Sequence, residues 1–245
     1  MKLDKKLGTA VLALAALTLA SPAMAVSFWG ETFPYSNGNL TAVSGGLWVN
    51  HSGTGSFIQV SGGEAVLVQG SGSREDVNRS FTPRDSLDKT YACFKVTVPT
   101  APLPITDVYF AHLKDSGTFN FAARAFVTGS GSSFTFGLAA TSSTIGATWP
   151  SALNFGQQYT VAIMYDAAAG SAKLWVDPTS ESSPSITVTG GTAKFLIEAF
   201  AMRQAGGNTS QLIDNVGVGT TFDDICPSPT PTNATTWGRV KTLYR

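Results

Sequence analysis

A handful of residues have side chains whose types could do chemistry on a polar ligand. His112, Arg124, Glu198 and Arg203 offer planar hydrogen-bonding groups, and Trp149, in the loop Gly146-Ala147-Thr148-Trp149-Pro150, offers an aromatic platform. That combination suits a saccharide, because a sugar ring has apolar faces and a rim of hydroxyls. Each residue also has a structural alternative. Arg124 and Glu198 could pair across a sheet, Trp149 could cap a core, and Arg203 could be a structural residue. Strict alternation along Phe119 to Thr128 puts Arg124 on the face opposite the Phe119/Phe121 stripe.

Other chemistries find less support. His51 falls in a Ser/Gly-rich stretch and His112 at the end of a strand-like run, beside Lys114 and Asp115. A Ser-His-Asp triad is not excluded by counting, since its members need not be close in sequence, but no Gly-x-Ser-x-Gly elbow is present. The glycine clusters separate strand-like runs and never open a helix, so no phosphate-binding or dinucleotide loop is expected. Calcium would be held by carboxylates and carbonyls from loops. Asp107, Asp115, Asp177 and Asp214 sit at expected strand boundaries and are the candidate ligands, with turn-stabilising caps as the alternative role. Two cysteines and two histidines give no zinc-ligand spacing.

The elements that must position these groups are strands. Between residues 28 and 224 the apolar period is two. Runs are expected over 55–60, 64–68, 91–98, 107–113, 119–128, 134–138, 159–165, 172–177, 194–203 and 212–218, separated by Gly, Ser, Pro and Asn clusters. Only Thr220 to Ile225 invites a helix, with Thr221 at its N-cap. Short strands with regular turn signals predict an all-β, two-sheet antiparallel jelly-roll sandwich with a short helix near the C-terminus.

The segment Glu31-Thr32-Phe33-Pro34-Tyr35-Ser36-Asn37-Gly38-Asn39-Leu40 opens a series of further motifs. Arg74-Glu75-Asp76-Val77, Leu174-Trp175-Val176-Asp177-Pro178 and Met202-Arg203-Gln204 follow it. Ile213-Asp214-Asn215-Val216-Gly217-Val218-Gly219, before Phe222-Asp223-Asp224, completes the set. Together they resemble bacterial laminin-G-like domains of the concanavalin A-like lectin/glucanase superfamily, over nearly all of residues 28–225. The resemblance implies a concanavalin A-like jelly roll on a secreted surface protein, usually without an activity, and it makes Ca²⁺ at a sandwich edge an expectation. Hydrolases of that superfamily carry Glu-x-Asp-x-(x)-Glu, which sets two carboxyl groups ~5 Å apart. Glu31, Glu64, Glu75, Glu181 and Glu198 contain no such spacing.

The ends and the composition set the context. Lys2, Lys5 and Lys6 precede an apolar stretch from Leu7 to Ala20 and a small-residue site at Ala23-Met24-Ala25, the pattern of a secretory signal over residues 1–25 cleaved after Ala25. Removing those lysines and Asp4 takes a chain of net charge +0 to about −2. Charged residues are 13% of the whole, which excludes an electrostatically driven nucleic-acid binder. No later segment is long enough to span a bilayer. In an oxidising compartment Cys93 and Cys226 either bridge or remain as a buried and an exposed thiol. Residues 26–226 form one sandwich domain, residues 227–236 a Pro/Thr linker. Residues 237–245 form a basic tail with Trp237, Val240, Leu243 and Tyr244 at helical spacing. The tail suits a docking or sorting partner, an amphipathic surface helix, or a terminus packing its tryptophan on the domain.

The expected function is extracellular or cell-surface binding without catalysis, with a polysaccharide or cell-surface glycan as partner. A self-assembling surface protein is the alternative, and a polysaccharide lyase or hydrolase the second.

Overall fold

The computed structural model describes residues 26–83, 89–100, 104–129, 132–190 and 195–226. The signal segment, linker and tail lie outside the described residues. The period-two pattern becomes strands β1 (Ser27–Glu31), β2 (Gly38–Asn39), β3 (Val49–Ser52), β4 (Gln59–Ser61), β5 (Glu64–Val68), β6 (Asp76–Ser80), β7 (Lys89–Thr97) and β8 (Val108–Lys114). They continue as β9 (Phe121–Thr128), β10 (Thr135–Ala139), β11 (Ala147–Thr148), β12 (Gln158–Asp166), β13 (Ser171–Val176), β14 (Ile186–Val188), β15 (Ala199–Met202) and β16 (Ser210–Gly219). Two one-turn helices, α1 (Leu40–Val43) and α2 (Phe222–Ile225), complete the set.

All pairings between these strands are antiparallel. One sheet runs β14-β13-β12-β7-β16-β5-β4-β2, with β1 also on β16; the other runs β11-β10-β9-β8-β15-β6-β3. The molecule is the two-sheet antiparallel sandwich that the pattern predicts. The sheets meet through interlocking aromatics: Phe94 of β7 lies 6.0 Å from Phe110 of β8 and 5.8 Å from Phe200 of β15, ring to ring. Each fully buried phenylalanine contributes roughly 1.5–3 kcal/mol by leaving water.

The central strands are apolar on both faces because both are covered. On the outer side of the nine-stranded sheet, Tyr91, Cys93, Ala162, Met164 and Trp175 form a second apolar cluster under Phe222 and Ile225 of α2. Cys93 and Cys226 are joined, Cα to Cα 5.6 Å, so the bridge fastens the end of α2 to the middle of β7. A buried ion pair sits between the sheets at the other end: Arg79 Nη1 lies 2.8 Å from Glu31 Oε2, and its guanidinium lies over Trp29.

Several local expectations change. The run 55–60 is mostly irregular: only Gln59–Ser61 is strand, Gly55 makes an isolated bridge to Arg74, and Ser56 takes a positive φ. The strand expected over 194–203 shrinks to Ala199–Met202. Asp214 lies inside β16, at a register shift, and not at a strand boundary. Helix α1 was not foreseen. Its Leu40 is apolar and buried, and one turn is too short to display a 3.6-residue period. Thr221 does precede α2, but its hydroxyl bonds to Asp224 Oδ2 and makes no bond to a backbone N–H.

Candidate ligand-binding groove

Strands β8 and β9 do not alternate regularly, and this builds the site. Pairing skips between Ala111 and Leu113 on β8 and between Ala122 and Ala125 on β9, so Ala123 and Arg124 together face one residue, His112. Ala123 takes φ 47°, and its N–H bonds to Ala140 across the edge. Such a bulge redirects every side chain beyond it. Ala122, Ala123, Ala125 and Val127 therefore all enter the core, while Phe121, Arg124 and Phe126 point outward. Arg124 shares a face with Phe121, contrary to the alternation rule. The same irregularity brings Tyr109 and His112, three residues apart, to one side of β8.

The outer face of the seven-stranded sheet thus gathers an aromatic and cationic cluster. Tyr109 packs edge-on against Phe126 at 5.5 Å. The Arg124 guanidinium lies 4.8 Å from the Tyr109 ring centre and 5.2 Å from that of Phe121. Arg203, just past β15, places its guanidinium 4.2 Å from the same tyrosine. Arg203 Nε is 3.8 Å from Asp76 Oδ2, while Asp76 also accepts bonds from the Gln204 N–H and the Ser52 hydroxyl. Burial raises the Asp76 carboxyl above its ordinary value against those bonds. Arg124 has no carboxylate partner among the described residues, and its Nε is sealed without a hydrogen bond.

Two imidazoles complete the cluster. His112 is fully buried, 4.5 Å from Phe121 and 5.4 Å from Tyr109 ring to ring; His51, on β3, is 5.4 Å from Phe121. All four ring nitrogens are buried without a partner in the protein. Burial first, then the positive charge of Arg124, His51, Arg203 and Lys114, pushes His112 well below its ordinary value. Burial and Lys114 likewise lower His51, against Asp115. Both are neutral at pH 7, each with one unused donor and one unused acceptor. Buried polar atoms normally have partners, so four orphans on one face are a marked local excess. A hollow of about 250 Å³ opens beside Tyr109, Phe126 and Arg203, with Asp107 and Ser143 at its rim.

Of the remaining sequence candidates Asp107 borders the hollow, and the others lie elsewhere. Trp149 packs against the core beside β11. Its carbonyl accepts the Thr135 hydroxyl and its N–H bonds to Phe136. Glu198 precedes β15 and accepts the Ser116 N–H; it makes no ion pair with Arg124. The four aspartates do not converge. Asp115 caps its own turn through the Gly117 N–H and the Asn120 amide, Asp177 accepts the Thr160 N–H, and Asp214 accepts from Asn215. Among the described residues no three His, Cys, Asp or Glu side chains come together as a metal site. Tyr109, Phe121, Phe126, His51 and Asp76 are the members of the cluster that site reasoning from sequence missed. Despite its Ser/Gly-rich surroundings, His51 lies in β3. A larger hollow, about 620 Å³, lies by the disulfide between Lys95, Asp177 and Asn215. A second hollow of about 620 Å³ is lined by Phe28, Trp29, Arg79 and Phe81, with the Trp29 indole nitrogen unpartnered. The smaller hollow is set apart by two guanidiniums against the one tyrosine ring that lines it.

No family model matches the sequence, and no curated protein matches it by sequence. Solved structures share the fold. The CBM2 module of the evolved Dit of Lactobacillus casei BL23 phage J-1 superposes with a TM-score of 0.52 at 10% identity, over 80% of this chain and 96% of that one. A sialidase matches with a TM-score of 0.50 at 13% identity, over 80% of this chain but only 19% of the sialidase. At such identities the likeness concerns the fold.

Proposed function

We propose that the chain is an exported, non-catalytic module that binds saccharide on the outer face of its seven-stranded sheet, as a laminin-G-like surface domain. The observation that carries this reading is the Tyr109 ring with two guanidiniums against it, one of them without a carboxylate partner among the described residues. An aromatic face, fixed planar donors and unused hydrogen-bonding capacity are what a sugar needs. A sandwich likeness to a phage CBM2 module is consistent with it. The disulfide and the signal-like start support export.

The same residues invite a second reading, a lyase with Tyr109 or His112 as base. Two features favour binding. His112 is sealed behind Phe121, and burial raises the Tyr109 hydroxyl, opposed by Arg203 and Arg124. The test is retention of the full chain on immobilised polysaccharides, with release of unsaturated or reducing ends followed in parallel. Retention without products, at least tenfold weaker for Tyr109→Ala and unchanged for Trp149→Ala, is the expected result. Product release would make the protein an enzyme; unchanged retention in Tyr109→Ala would move the site away from this face.

A further inference from the structure

Resting on the saccharide reading, we infer that the groove selects an acidic saccharide, one whose ring carries an oxyanion that Arg124 and Arg203 share. Two guanidiniums approach one tyrosine ring; Asp76 stands 3.8 Å from Arg203 while serving a backbone N–H and a hydroxyl, and the exposed Asp107 borders the hollow without an ion pair to either arginine. Arg124 is 8% exposed and has no carboxylate among the described residues. Lys114, also buried, donates to the Asp115 carbonyl and has the Asp115 and Glu198 carboxylates to offset its charge, so the uncompensated cation on this face, among the described residues, is Arg124. Stacking on Tyr109 and Phe121 orients the Arg124 guanidinium but cannot neutralise it. A buried, unpaired cation is costly, and an oxyanion is the ligand group that relieves the cost, because the planar fork matches two oxygens at once.

A neutral sugar would cover this face and leave the guanidiniums uncompensated, which disfavours it. The chain as a whole carries formal charge +0, so the excess is a property of this face and not of the molecule. The imidazoles are neutral and so add no repulsion among the cations. Carboxylate and sulfate share the required chemistry, and the experiment separates them.

The full chain is passed over immobilised polygalacturonate, the same polymer after carboxyl reduction, a sulfated galactan, its desulfated form, and a neutral glucan. Retention on an acidic polymer that falls at least tenfold when that polymer's acidic groups are removed is the expected result. Arg124→Gln should reproduce that loss, while Lys95→Gln, on the other sheet, should not. Which acidic polymer is retained names the oxyanion. Equal retention on the reduced, desulfated or neutral polymers overturns the inference and leaves saccharide binding standing. Retention on none of them overturns both. Should Arg124→Gln fold poorly, Arg203→Gln is the second variant, since Arg203 is more exposed and is expected to show the same acid-selective loss.

Discussion

The Phe121 ring lies 4.5 Å from the His112 ring and closes it off from water. The imidazole therefore titrates well below its ordinary 6.5 in the folded chain. On acidification the unfolded chain takes up this proton first, so stability is full above pH 6.5 and falls as pH drops below it towards the folded value. His51 acts in the same direction. Asp76, raised above its ordinary 3.8, acts oppositely, because its folded carboxyl protonates first on acidification. His112→Phe should flatten the loss of stability just below pH 6.5, measured by denaturant midpoints across that range. Phe121→Ala should move the His112 titration, followed by NMR, back towards 6.5.

The bridge between Cys93 and Cys226 closes a separation of 133 residues. In the chain-entropy view that contributes about 5 kcal/mol, acting mostly on the unfolded chain. Reduction, or the double variant Cys93→Ala/Cys226→Ala, should lower Tm by roughly 10–20 °C. A melt that reductant leaves unmoved would show that α2 is held by Phe222 and Ile225 packing alone.

Glu31 accepts bonds from the Phe33 N–H, the Tyr35 hydroxyl, the Trp48 indole N–H and Arg79. Glu31→Gln leaves the partly buried Arg79 charged and unpaired over Trp29, and is expected to cost about 2–3 kcal/mol. Adding Arg79→Met should recover part of that loss in a double-mutant cycle. Burial first, then the bond to Glu31, pushes the Tyr35 hydroxyl up to about 12. In Glu31→Gln its absorbance titration should move back towards 10.

Ala123 carries the turn of β9 that exposes Arg124. A glycine there gains about 1 kcal/mol from a relaxed backbone and loses a similar amount of methyl burial. Ala123→Gly should therefore leave Tm within a few degrees and retention on polysaccharide intact. Ala123→Val, β-branched at a positive φ, should lower both. Equal behaviour of the two variants would detach the bulge from the site.

The fold was legible because sandwich strands announce themselves by alternation and by the turns between them: Glu64–Val68 stands where the pattern puts it, β12 and β16 extend their expected runs by a residue or two at each end, and β7 starts two residues early and stops one short. Two-residue strands such as β2 and β11 are too short to show a period. The sequence by itself also determined that Cys93 and Cys226 were the only candidates for a bridge, and the tertiary structure decided that they meet. What alternation could not reveal is the groove. Bulges in β8 and β9 reverse the parity on which face assignment depends, so Arg124, Tyr109 and His112 come together only through backbone irregularities. Arg203 and His51 reach them from strands distant in the chain, as neighbours fixed by sheet order. Parity is a local property and sheet order is not, which is why the strands could be read from the residues and the site could not.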